Sequence, residues 1–489
     1  MSESVNNKIV SATKWSAATE IVARLLLPIV NMVLARVLTP EAFGVVATLT
    51  MIISFAEIFT DAGFQNYLIQ HEFVDAIDRE ESTCVAFWSN LVMSLLIWGI
   101  IIVFAEPLAA LVGNSGLGVV LIVACASIPL TGLSSIQMAL YKRDLDFKML
   151  FKIRLVGILV PLLVTIPLAI WMRSYWALVI GTIAQNLINA LLLTFFSGWK
   201  PKFYYSLDKL REMLSFTAWS VVEAVTIWLT GYIDVFIVGT MLSQYYLGLY
   251  KTSITLVGQI MGLVTITTTP ILFASLSRLQ SDVDGFKDLF FRFQKIVGLM
   301  VIPMGFGMFC FSDLVTELFL GSQWMDASGF IGLWALTSSV TIVFWHFCSE
   351  VYRAKGLPKL STLAQILHII FLWPTVIIAV DYGFETLYVS RSLVRFQGIL
   401  VHMLLMYYVV RISPWKMIKN VAPSLAASTI MLVVALHMLR LSHEMWWQLL
   451  SILICAVVYG SLVIIFPKER NILRRYVLNR NIHEGISSR

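Results

Sequence analysis

The chain has 489 residues, of which 58% are hydrophobic and 13% charged; its mean hydropathy is +0.83 and its formal net charge +6. A soluble protein carries about twice that charged fraction, so a cytosolic enzyme and a nucleic-acid-binding domain are excluded and a chain built for lipid is expected. The five cysteines (Cys84, Cys125, Cys310, Cys348 and Cys455) fall in apolar stretches with no C-x-x-C pair, and read as core residues, not as disulfides or metal ligands.

The N-terminus, MSESVNNK, lacks the charged-then-apolar pattern of a signal peptide, and none is expected. About fourteen apolar segments follow, each long enough to cross a bilayer. The first, 15–37, carries Glu20, Arg24, Pro28 and Asn31, spaced to share one helical face. The second, 44–69, carries Ser54, Glu57, Asp61 and Gln65 as one stripe, and Glu57 and Asp61 are like charges one turn apart that favour keeping a proton between them. Segments 82–104, 117–140, 151–171 and 174–196 are less charged, and Lys152 and Arg154 lie near enough to one end to snorkel. The seventh, 213–240, repeats the polar stripe with Trp219, Glu223, Thr226, Thr230 and Asp234; the eighth, 245–275, has Lys251, Thr255, Gln259 and Thr269. Each charge left in hydrocarbon costs roughly 2.5 kcal/mol or more, so these groups are expected to face one another or a polar cavity. Glu20 and Asp234 lie near segment ends, where water or headgroups can reach them. Of the later segments (289–311, 330–352, 361–380, 385–410, 419–440 and 446–466), the tenth offers His346 and Glu350, the eleventh a lone His368 that reads as a packed core residue, and the twelfth Arg391 and Arg395 on one face, a second anion contact.

Numbered alternately, one set of connections holds Lys142, Arg143, Lys148, Lys200, Lys202, Lys209, Arg211, Lys355, Lys359, Lys416, Lys419 and the basic tail from Lys468 to Arg480. The other holds Arg36, Arg173 and Arg440. This asymmetry predicts that both termini are cytoplasmic. The acidic run HEFVDAIDREES is the exception on the same side.

Two stretches echo each other at a separation of 204 residues: Trp15-Ser16 with Trp219-Ser220, and Leu38-Thr39 and Gly44 with Leu242-Ser243 and Gly248. Tyr141-Lys142 likewise resembles Tyr352-Arg353. The expected architecture is an all-α polytopic membrane protein: a six-helix bundle over 1–212, a pseudo-symmetric second over 213–412, two additional helices over 413–466 and a basic tail over 467–489, with the substrate path between the bundles. P-loop, H-E-x-x-H and G-x-S-x-G motifs are absent, so no enzyme and no bound metal is expected.

The runs LARVLTPEAFGVV (34–46), DAGFQNYLIQ (61–70), VAFWSN (85–90), YKRDLDF (141–147), DVFIVGTMLSQYYLGLY (234–250), SLSRLQSD (275–282) and FLGSQW (319–324) resemble the polysaccharide-transporter branch of the multidrug/oligosaccharidyl-lipid/polysaccharide superfamily, of the colanic and teichuronic acid exporter type. Ala274 stands where that family often has proline. The resemblance implies a flippase in the bacterial inner membrane that moves an undecaprenyl-diphosphate-linked oligosaccharide outward by alternating access. It implies membrane lipids as surroundings, and a polysaccharide polymerase and glycosyltransferases as partners. The related peptidoglycan-precursor flippase holds its diphosphate with arginines on helices one, two and eight. Here Arg24 and Lys251 stand for the first and third, while helix two offers Glu57 and Asp61. The expected substrate contacts are therefore Arg24, Lys251, Asn31, Gln259, Arg391 and Arg395. The expected coupling groups, for H+ or Na+, are Glu57, Asp61, Glu20, Glu223 and Asp234. Alternatives are a multidrug cation antiporter of the same superfamily and a membrane polymerase or ligase of lipid-linked glycans.

Overall fold

The computed structural model describes residues 2–61, 64–280, 282–357 and 359–465. Fourteen helical stretches in it are long and apolar enough to cross a membrane. In chain order they are α1 (Lys14–Val37), α2 (Pro40–Thr60), α3 (Ala76–Val103), α4 (Gly118–Arg143), α5 (Phe147–Met172), α6 (Trp176–Phe196), α7 (Ala224–Met241) and α8 (Gln244–Ile266). Then come α9 (Val283–Cys310), α10 (Ser322–Ala354), α11 (Lys359–Val380), α12 (Phe384–Val410), α13 (Pro414–Leu441) and α14 (Met445–Ile465). The protein is an all-helical, multi-pass membrane protein. Helices satisfy every backbone polar group internally, as hydrocarbon requires.

The chain packs as two compact units, Met1–Thr252 and Ser253–Arg489, and the division falls inside α8. This is a division of packing; the repeat boundary expected at 212/213 concerns chain symmetry and stays a proposal. In the first unit, one core cluster joins Val45, Leu49, Leu121, Cys125 and Ile128. A second joins Val30 and Leu34 of α1, and Leu38 just beyond it, to Ala169 and Ala177. Within the segment 44–69 the described residues are helical over Pro40–Asp61 and over Phe64–Gln70, which carries Gln65. Phe64, Tyr67 and Leu68 are buried in a third cluster with Val85, Phe87, Ile136 and Met213.

The acidic run finds its partners inside the same unit. Lys209 bonds Asp78 at 2.6 Å and Glu81 at 3.1 Å. Arg79 makes a two-pronged contact with Asp144 at 2.8 and 3.0 Å, and Lys202 pairs with Glu80. Burial pulls the Lys209 ammonium down, but its bonds to Asp78 and Glu81 overcome this and hold it above the ordinary lysine range. Asp75 caps the following helix by accepting from the Asp78 amide at 2.7 Å. The run is thus a clasp that ties the 200–212 linker down.

Within the second unit, α13 and α14 dock on α9. Asn420 donates to the Phe291 carbonyl at 2.8 Å, Tyr459 donates to the Leu299 carbonyl at 2.8 Å, and Phe311, Met431 and Cys455 share one core cluster.

Candidate functional site

The polar stripes of the first unit are joined by an aromatic relay. Ser54 on α2 accepts from the Trp228 indole N–H at 3.0 Å, and the Phe55 ring lies 4.8 Å from the same indole. Trp228 stacks on Tyr232 one turn along α7, at 5.5 Å. The Lys251 ammonium sits 4.9 Å from the centre of the Tyr232 ring. The negative face of an aromatic ring attracts such a cation and offsets part of the cost of holding it in a membrane span. Nearby, Thr131 of α4 donates to Glu57 Oε1 at 3.4 Å.

On α1, Arg24 and Glu20 face each other at 3.9 Å, both partly exposed, and Asn31 is half-buried two turns on. Asp234 differs from expectation. It is 4% exposed and out of reach of water, because the wholly buried Tyr250 hydroxyl donates to its Oδ2 at 2.7 Å. The side chains of Asp61 and Glu223 lie outside the described residues.

The remaining predicted residues belong to the second unit. Gln259 is half-buried on α8. Arg395 donates to the hydroxyls of Thr337 and Ser338 at 3.2 and 2.8 Å and lies 4.0 Å over Trp334; Arg391 lies 5.0 Å from the same ring. His346 and Glu350 do not pair with each other here. His346 bonds Thr269 at 3.1 Å and Glu350 bonds Arg353 at 2.9 Å. His368 packs against Trp345 and bonds Gln397 at 3.2 Å.

Sequence reasoning missed Trp228, Tyr232 and Tyr250 in the first unit, and Trp334 in the second, as contacts of the predicted residues. A signal existed: Trp228 and Tyr232 are four apart on the helix that carries Thr226 and Thr230.

Residues 33–329 match the family model described as polysaccharide biosynthesis protein. The chain belongs to that family. It is 22% identical, over 76% of each chain, to an uncharacterized membrane protein in the cps region of Klebsiella pneumoniae. It is 23% identical to the succinoglycan biosynthesis transport protein ExoT of Rhizobium meliloti, over 63% of this chain and 62% of that one. To the lipopolysaccharide biosynthesis protein WzxC of Escherichia coli it is 21% identical, over 66% and 65%. The last two alignments span just under two thirds of those relatives. The fold is shared with lipid II flippase MurJ in an inward closed conformation, at TM-score 0.76 and 16% identity over 94% of this chain and 100% of that one. It is also shared with an inward-facing multidrug MATE transporter, at TM-score 0.61 and 14% identity over 79% and 94%.

Proposed function

We propose that this family member is a flippase, not an enzyme, that carries a lipid-linked oligosaccharide across the bacterial inner membrane for surface polysaccharide synthesis. The observation that carries the reading is a cation held inside a membrane span on an aromatic ring: Lys251 over Tyr232, in the unit that also places Arg24 on α1. A diphosphate meets such groups as charge-assisted partners. The hydroxyl and amide stripes suit a glycan, and the polyprenyl tail stays in lipid. Arg391 and Arg395 around Trp334 offer a second contact for anionic or sugar groups. Family membership and the fold shared with a lipid II flippase support the same reading.

Outward movement of negative charge gains roughly 2.3 kcal/mol per charge from each 100 mV of an inside-negative potential, so the potential can supply the work. Glu57 and Asp61 are the proposed alternative, exchanging H+ or Na+ between conformations. Both termini are placed in the cytoplasm, where a glycosyltransferase delivers substrate; a polymerase receives it outside. The test is translocation of an undecaprenyl-diphosphate oligosaccharide in proteoliposomes, with potential and pH gradient imposed separately. Substrate-dependent flipping is expected. Efflux of organic cations without glycan transport would favour the antiporter reading instead.

A further inference from the structure

The first unit holds an open cavity of about 440 Å³ lined by α1, α4, α5 and α6, and Lys251 is not in its wall. Two cations line it, Lys142 from α4 and Arg154 from α5, with the amides Gln185 and Asn189 from α6. Among the described residues neither cation has an ion-pair partner: the bond shown for Lys142 runs to the neutral Gln65 amide at 3.5 Å, and Arg154 is exposed. The carboxylate in the wall, Glu20, already faces Arg24 at 3.9 Å, so the local balance favours an anion.

We propose that this cavity seats the phosphate headgroup of an anionic membrane lipid, with Lys142 and Arg154 as its charge partners. The wall is graded in the way a lipid is graded. Along α1 it runs from Ser16, Thr19 and Glu20 to Ala23 and Leu27, a rise of about 16 Å at 1.5 Å per residue. Free phosphate satisfies only the polar end, whereas a phospholipid satisfies both. Gly157 sets the width. A Cβ there would come within 2.8 Å of the Asn189 amide oxygen, so the bare backbone lets that amide lie against α5. Guanidinium and ammonium contacts on one phosphate give charge-assisted bonds. This site is separate from the transport reading, because it predicts retention of lipid by the resting protein.

The test is native mass spectrometry of the purified full chain with added phosphatidylglycerol or phosphatidylcholine. Selective retention of phosphatidylglycerol is expected, falling about tenfold or more in Lys142→Gln/Arg154→Gln. Lys148→Gln, an exposed lysine outside the wall, should retain lipid as the parent does. Gly157→Phe keeps both cations and fills the cavity, and should lose the lipid too; a melting curve for each variant checks folding. Equal retention of both lipids, or unchanged phosphatidylglycerol in a folded double variant or in a folded Gly157→Phe, would overturn the proposal. So would displacement by millimolar inorganic phosphate, which assigns the cavity to a soluble anion.

Discussion

In the proposed role Lys251 would meet two opposed demands: hydrocarbon penalises an ammonium, while an anionic substrate needs one, and the Tyr232 ring offsets part of that penalty. Lys251→Ala or Arg24→Ala is expected to abolish surface polysaccharide at normal protein levels, while Arg24→Lys restores part, since lysine lacks the bidentate fork. Surface polysaccharide staining beside a membrane immunoblot decides it; full staining in both alanine variants removes them from the site. Tyr232→Phe keeps the ring and should transport as the parent does. Tyr232→Leu should lower transport about twofold to thirtyfold, the range of a lost cation–π contact. For the acids, Asp61→Asn, and less so Glu57→Gln, should lower flipping and flatten its pH dependence; wild-type profiles in both would leave these acids structural. The charged residues proposed for the site are conspicuous in the sequence because each interrupts an apolar run. Trp334 is not, because an aromatic ring in a membrane segment has the same sequence appearance whether it faces lipid or carries a cation; Tyr232 has only its spacing from Trp228 to mark it.

Between elements of the first unit, α2 and α8 approach backbone against backbone. A Cβ on Gly44 of α2 would overlap the Gln244 carbonyl, and a Cβ on Gly248 of α8 would overlap the Pro40 carbonyl. Small residues permit such crossings, and no side chain can bend away to make room. Gly44→Ala and Gly248→Ala should each lower the melting temperature by several degrees, as expected for a loss of about 1–3 kcal/mol on overpacking. Gly99→Ala, with nothing within 4 Å of its Cβ, should leave it unchanged. The clasp makes a different prediction. Because the folded Lys209 is held above the ordinary lysine range, its contribution is complete below the unfolded value and is lost only as pH rises through the raised one. The difference in melting temperature between the parent and Lys209→Gln should thus stay flat on the mildly alkaline side of neutrality. The fourteen spans were legible from hydropathy, whose period and length are local properties. The burial of Phe64, Tyr67 and Leu68 was not, because it depends on Phe87 and Met213, remote in the chain.

For the whole molecule, the charge partition predicts that Asp326→Cys is labelled by an impermeant maleimide from outside and Asn481→Cys, in the tail, is spared. The reverse pattern would invert the topology. The Gly44–Gly248 contact carries a consequence of another kind. The two glycines are 204 residues apart, as are the two carbonyls they meet, Pro40 and Gln244, so each residue plays donor of space and recipient in one reciprocal pairing. Selection therefore cannot relax one without straining the other. A complete substitution scan of this chain, read as a signal along the sequence, should correlate with itself at a lag of 204: intolerance at 40 and 44 should reappear at 244 and 248, even where identity between the two stretches has eroded.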